Sequence, residues 1–356
     1  MDAVLTCMVS DNIGPGALSQ QLSVDIAAYL GVEPGFCVRD YAGAIDSVLN
    51  AVGSMPGDRV AISSLAPSIY RHVFEKRGIR ALILDVDPSS GTVSAESVQA
   101  MGITGLKALV VHYTGGIIPD IQSIVDLGIP VIEDISEGIG GITSERRIGT
   151  YGQYTILGLE PEHIITCGGG AAVLAGGKRE RAELRRVAES LPREMLLCDM
   201  NAALGLQQVK RIEQFIQKRR EIASIYHRAL LRGRHRLLLQ PGEAENVFHS
   251  FAVVLASGAR EVIQYARKKQ VECIYAFEGS LYGSMVRPVG HNDAAESAES
   301  DNSGSPIDDA NHEMELDAAD FPGARSLTLR CVLFPLYPVL PKREVDRIEK
   351  VVTTLP

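Results

Sequence analysis

Residues 158–170 read Gly158-Leu159-Glu160-Pro161-Glu162-His163-Ile164-Ile165-Thr166-Cys167-Gly168-Gly169-Gly170. A proline-containing loop leads to a histidine, then to a short apolar run, then to three consecutive glycines. Imidazole can act as an acid or a base near neutral pH, which makes His163 a candidate catalytic residue. Cys167 could serve as a nucleophile four residues later, but a buried small thiol before a tight turn is the commoner use of such a cysteine. Three glycines alone do not make a phosphate loop, which requires a fixed spacing to Lys and Ser or Thr.

Before this stretch, short apolar runs alternate with helical patterns. Arg59-Val60-Ala61-Ile62, Ala81-Leu82-Ile83-Leu84-Asp85-Val86, Ala108-Leu109-Val110-Val111-His112 and Pro130-Val131-Ile132-Glu133-Asp134 read as strands. Helical patterns occupy 44–52, 68–77, 94–101 and 119–127. Near-continuous apolar strands separated by helices predict an α/β fold with a mostly parallel sheet covered on both faces. After it, 202–231 reads as one long amphipathic helix, with Leu206, Val209, Ile212, Phe215, Ile216, Ile222 and Tyr226 on its buried stripe. A strand at 247–255, a helix at 260–270 and a closing helix at 342–353 predict a smaller α+β domain. The expected division is 1–225 and 226–356.

The 356 residues are 46% hydrophobic, enough for one large core or two unequal ones. No apolar run approaches the roughly 20 residues that span a bilayer, and the N-terminus lacks a signal-peptide shape. The six cysteines show no paired spacing, which points to a reducing, cytoplasmic setting and away from structural zinc or any other metal. The net charge of −9 has a local origin. Ten acids and no Lys or Arg lie between Gly290 and Asp320; without them the 44 acidic residues fall to 34, against 35 basic ones. That balance, with no Trp, excludes a nucleic-acid surface. Residues 291–320 carry too few apolar side chains to form a core and are expected to be a disordered acidic insertion.

Several stretches resemble, in order, the DegT/StrS family of pyridoxal phosphate (PLP)-dependent sugar aminotransferases. They are Met55-Pro56-Gly57-Asp58-Arg59-Val60, Asp85-Val86-Asp87-Pro88, His112-Tyr113-Thr114-Gly115-Gly116 with Asp120, Ile132-Glu133-Asp134, Arg147-Ile148-Gly149-Thr150-Tyr151-Gly152, the run 199–220, Phe321-Pro322-Gly323-Ala324 and Phe334-Pro335-Leu336-Tyr337-Pro338. In the opening stretch Pro161, Ile165, Thr166, Gly168 and Gly170 also fall in step. The resemblance implies fold type I of the PLP-dependent transferases: a large domain with a mostly parallel seven-stranded sheet and a small C-terminal α+β domain. It implies PLP or its amine form, pyridoxamine phosphate (PMP), as cofactor, a homodimer, a nucleotide-linked sugar as ligand, and no membrane.

The same resemblance places His163 where the family has its Schiff-base lysine. Asp134 falls at the aspartate that protonates the cofactor's ring nitrogen, and Glu137 near the ring hydroxyl. The phosphate loop becomes Asp40-Tyr41-Ala42, and the serine five residues before the lysine becomes Gly158. Asp40, and Glu194 where the partner subunit normally offers an asparagine, would face a dianion with a second negative charge. Weak or absent cofactor binding follows, with a dissociation constant above about 100 μM once several charge-assisted contacts are lost. Three readings stay open: a catalytically silent relative that binds a nucleotide sugar or a partner; a PLP- or PMP-dependent enzyme with His163 as base, as in the family's histidine-bearing keto-deoxysugar dehydratases; and a transaminase with a displaced lysine.

Overall fold

The apolar runs become the strands of one sheet. The computed structural model describes residues 2–10, 13–144, 146–286 and 321–356. The acidic stretch 291–320 lies outside them. In chain order the helices are α1 (Asp2–Val9), α2 (Ala17–Leu30), α3 (Tyr41–Ala51), α4 (Ile69–Arg77), α5 (Ala95–Ala100), α6 (Ile121–Val125), α7 (Lys178–Ser190), α8 (Asp199–Val209), α9 (Ile212–Leu230), α10 (Ala259–Lys268), α11 (Leu281–Val286), α12 (Pro322–Arg330) and α13 (Lys342–Thr353). The strands are β1 (Glu33–Val38), β2 (Arg59–Ser63), β3 (Arg80–Leu84), β4 (Leu106–His112), β5 (Val131–Asp134), β6 (Tyr154–Gly158), β7 (Ala171–Ala175), β8 (Arg236–Leu237), β9 (Phe251–Val254), β10 (Ile274–Tyr275) and β11 (Cys331–Phe334).

Strands β1 to β7 form a seven-stranded sheet in the order β1-β7-β6-β5-β4-β2-β3, with β7 antiparallel to both its neighbours and the other pairings parallel. Every residue of β5, β6 and β7 is buried, as expected of strands covered on both faces. A second sheet, β10-β11-β9-β8, is antiparallel throughout. It shares a separate core with α10, α13 and the second half of α9. Helix α9 serves both cores: Ile212, Phe215 and Ile216 belong to the large one, and Ile222, Tyr226 and Leu230 to the small one.

Three elements depart from the sequence reading. The single helix expected at 202–231 is two helices, broken at Lys210 and Arg211, where Arg211 leaves helical geometry at φ −118° and ψ 7°. The three-residue spacing of Leu206, Val209, Ile212 and Phe215 runs straight across the break, so periodicity could not reveal it. The strand expected at 247–255 is confined to Phe251–Val254. Upstream, the carbonyls of Phe248 and His249 accept hydrogen bonds from Nη1 of the buried Arg219, at 3.3 and 2.7 Å, instead of joining a ladder. The helix expected at 119–127 is a five-residue turn, α6, entered through the Asp120 cap on the Ser123 N–H.

Buried and half-buried carboxylates tie distant segments together. Glu133 accepts from the Tyr113 hydroxyl (2.6 Å) and from the N–H groups of Gly149, Tyr151 and Gly152 (2.6–2.7 Å). Asp85 caps α12 through the N–H groups of Gly323 and Ala324, at 2.8 and 2.9 Å. Gly323 is required there, since an added Cβ would sit 1.9 Å from the Val86 carbonyl oxygen. Asp199 accepts the first N–H groups of α2, from Leu18 and Ser19. Each carboxylate satisfies helix or loop amides that would otherwise be unpaired.

Candidate functional site

The carboxyl ends of β4, β5 and β6 meet where parallel α/β sheets bind ligands. Asp134 ends β5 and is fully buried. Its Oδ2 accepts a hydrogen bond from the Tyr41 hydroxyl and a second from the Tyr70 hydroxyl at 2.8 Å. Its Oδ1 accepts from the Ser136 hydroxyl (2.6 Å) and N–H (3.2 Å). Four protein donors therefore occupy both oxygens. Burial, and next the Asp134 charge, push both phenols well above the usual tyrosine range, so they stay protonated and donate. Tyr41 arrives from the first residue of α3 and Tyr70 from α4, with their rings edge to face at 6.2 Å.

The N-terminus of α3 is capped from within. Asp40 has extended geometry, and its Oδ1 accepts the Gly43 N–H at 2.6 Å. An aspartate is among the best N-caps, and its charge opposes the helix dipole favourably. The Gly43 amide, one of those an external anion would use at that terminus, is taken by this carboxylate.

His163 folds back over β6. An added Cβ at Gly158 would lie 2.4 Å from its Cε1 and 2.8 Å from its Nδ1, so glycine is the residue that lets the imidazole lie there. Nδ1 accepts the Glu160 N–H at 3.1 Å, which fixes the ring proton on Nε2. The His163 ring stands edge to face with Tyr41 at 6.1 Å. Beyond it, Gly168, Gly169 and Gly170 all have positive φ. At Gly170 a side chain would strike Leu197 and the Val38 carbonyl, at 2.6 and 2.9 Å.

Outside this closed cluster lies a cavity of about 390 Å³ between the two sheets' loops. Tyr41, His112, Glu137, Glu160, Glu162, His163 and His249 line it, with Ser68, Thr114, Ser250 and Ser280 supplying hydroxyls. Among the described residues no Lys or Arg lines it. Glu137 accepts the Gly115 N–H at 2.6 Å. Burial works to raise its carboxyl, but His249, His112 and the Gly115 amide outweigh burial and hold it below the usual range. His249 lies 3.8 Å from Glu137, Nδ1 to Oε2. Burial nevertheless pushes the imidazole down to about 4 against the carboxylate's pull, so the contact is not an ion pair at neutral pH.

A family model described as the DegT/DnrJ/EryC1/StrS aminotransferase family matches residues 1–302. The chain belongs to that family. It is similar to the dTDP-4-dehydro-2,3,6-trideoxy-D-glucose 4-aminotransferase of Saccharopolyspora spinosa, with 25% identity over 260 residues, or 65% of this chain and 68% of that one. In solved structures it is similar to the aminotransferase TlmJ from Streptoalloteichus hindustanus (22% identity, TM-score 0.81, 99% and 94% of the two chains). It also resembles the sugar aminotransferase Spr1654 of Streptococcus pneumoniae in its PLP form (16% identity, TM-score 0.83, 99% and 94%). The fold is the type I fold of PLP-dependent aminotransferases.

Within this DegT/StrS fold the residues expected at the site lie in two groups. Asp134, Tyr41 and Gly158 join the closed cluster, and Glu137 and His163 face the cavity, where Tyr41 also shows an edge. Ala42 is half-buried and does not line the cavity. Glu194 lies in a one-turn helix at Arg193–Met195, away from it. Sequence reading missed three participants. His249 falls in a run that reads as strand, His112 reads only as part of a strand motif, and Tyr70 has no role in the sequence reading, whereas the structure makes it a partner of Asp134. The available signal for Tyr70 was a tyrosine on the inner stripe of α4 beside Val73 and Phe74.

Proposed function

We propose that this DegT/StrS protein does not transaminate, that its own side chains fill the cofactor site, and that it works by binding a small molecule in the remaining cavity. The observation that carries this reading is the saturation of Asp134. A ring nitrogen needs a free carboxylate oxygen, and here both oxygens hold protein donors within a fully buried cluster. Asp40 occupying the α3 N-terminus supports it, as does the absence of any lysine among the described lining residues. His163, at the position where the family has its lysine, cannot form a Schiff base. Its Nδ1 lone pair is already engaged, so it does not fit the role of a free general base either. PLP and PMP therefore do not fit the residues present.

The Saccharopolyspora relative is named for a dTDP-linked sugar, which makes a nucleotide sugar the ligand to compare first. The three carboxylates of the lining disfavour its diphosphate. Calorimetric titration with PMP, which requires no lysine, tests the reading. The expected dissociation constant is above about 100 μM. Micromolar binding, or a borohydride-fixed pyridoxyl-lysine after incubation with PLP, would refute it.

We also propose a homodimer. Leu5, Met8, Val9 and Ile13 are exposed at and just after α1, beside exposed Met200 and Leu204 on α8, against which α1 packs. Exposed apolar side chains on two packed helices fit an interface between two copies. Sedimentation equilibrium at micromolar concentration should give twice the 38.4 kDa chain mass, and a monomer would count against it.

A further inference from the structure

The cavity wall poses a pairing problem. His249 Nε2 lies 3.1 Å from the Glu162 carbonyl oxygen, which can only accept. The proton therefore sits on Nε2, and Nδ1 presents a lone pair to the Glu137 carboxylate 3.8 Å away. Two acceptors facing each other at that distance repel unless a donor stands between them. On the same wall His112 is 5% exposed, with its Nδ1 3.2 Å from the Thr114 hydroxyl.

The charge of the lining selects the partner. Glu137, Glu160 and Glu162 face the cavity with no Lys or Arg among the described lining residues. Burial keeps His249 neutral at pH 7, and no Lys or Arg among the described lining residues offsets the three carboxylates. An anion would meet repulsion with no donor pair strong enough to offset it. An ammonium group brings three N–H donors and a positive charge. The hydroxyls of Ser68 and Ser250 suit hydroxyls on the rest of the ligand. A volume of about 390 Å³ lies at the small end of ligand cavities, roughly 300–1,000 Å³.

We propose that this cavity binds a small ammonium-bearing polyol, with the ammonium bridging Glu137 and His249. The proposal rests on the reading that no phosphate-bearing cofactor fills the site, and narrows the ligand class within it. The test compares glucosamine, glucose and glucose 1-phosphate, three probes that share one hexose ring and carry three different charges, by calorimetry on the full chain at pH 7 and low salt. Glucosamine should bind at least tenfold more tightly than glucose, and glucose 1-phosphate more weakly than either. The preference should disappear in Glu137→Gln and weaken in the exposed-site variant Glu162→Gln, which disturbs no packed residue. Equal binding of glucosamine and glucose, no binding of glucosamine, or tighter binding of the phosphate would overturn the proposal. If PMP also fails to bind, only the ligand class falls. If PMP binds at micromolar concentration, the closed-site reading falls with it.

Discussion

Replacing Asp134 by alanine separates a cofactor aspartate from a structural one. In a site built to receive a ring nitrogen, the aspartate waits for a partner, so its removal costs cofactor affinity and little folding stability. Here the substitution strips an acceptor from Tyr41, Tyr70 and Ser136 at once. Tyr70 is fully buried and Tyr41 is 8% exposed, so neither hydroxyl can turn to bulk water. Each buried donor left unpaired costs about 1–3 kcal/mol. Relief from burying the carboxylate returns part of this, and breaking a buried charged partnership typically nets about 3–5 kcal/mol. Tyr70→Phe removes a single bond and leaves Asp134 with three donors, so about 1–2 kcal/mol is expected. Urea unfolding followed by tyrosine fluorescence, unobscured because the chain has no tryptophan, reads both values without any ligand. The Asp134→Ala loss should exceed that of Tyr70→Phe by at least twofold. An Asp134→Ala protein as stable as the parent, whose PMP affinity had changed instead, would refute the closed-site reasoning.

Two further outcomes follow from the same geometry. Gly158→Ser would drive a Cβ to 2.4 Å from the His163 ring, costing about 1–3 kcal/mol as overpacking; adding His163→Ala should recover most of that loss, and a strictly additive double mutant would show that the contact is not the cause. Acid should weaken the fold through His249, whose pKa falls from 6.5 in the unfolded chain to about 4 in the folded one. The unfolded chain then takes up a proton that the folded one refuses. Stability is full above pH 6.5 and declines as pH falls towards 4, by about 2 kcal/mol at pH 5 and about 3 in total, at 1.36 kcal/mol per unit. His235, also pushed down by burial, acts in the same direction, so the quantity to measure is how far His249→Asn flattens the wild-type slope between pH 7 and 5; an unchanged slope would remove His249 from the account.

The sheet was legible because its strands are continuous apolar runs with helices between them, a pattern that permits few alternatives. The break at Lys210 and Arg211 was not, since the buried stripe keeps its spacing through it. The end of the strand before Phe251 was hidden for another reason. It is set by Arg219, some 30 residues earlier, whose guanidinium takes the carbonyls of Phe248 and His249. At the site, His163, Asp134, Glu137 and Gly158 were legible one by one. Their partnerships were not, because Tyr41, Tyr70 and His249 come from three separate elements, and only the fold brings them to one place.

The motifs that carry the family resemblance do a different job from the residues that would carry its chemistry. Glu133 receives amides of the Arg147–Gly152 run, Asp85 receives those of Gly323 and Ala324, and Asp199 receives the start of α2. Each is a buried or partly buried carboxylate closing a long-range contact, and losing one leaves several amides unpaired at once. Such residues persist for as long as the fold does, whatever happens at the site. Residues facing a cofactor are under no such constraint once the cofactor is gone, and the fold gains stability when they pair with one another. The Asp134 cluster has this form: an aspartate placed by the family's strand β5, two tyrosines supplied by α3 and α4, and a serine two residues on. The fold is therefore read from the carboxylate locks, and the proposed silence of the site from the four protein donors that hold Asp134.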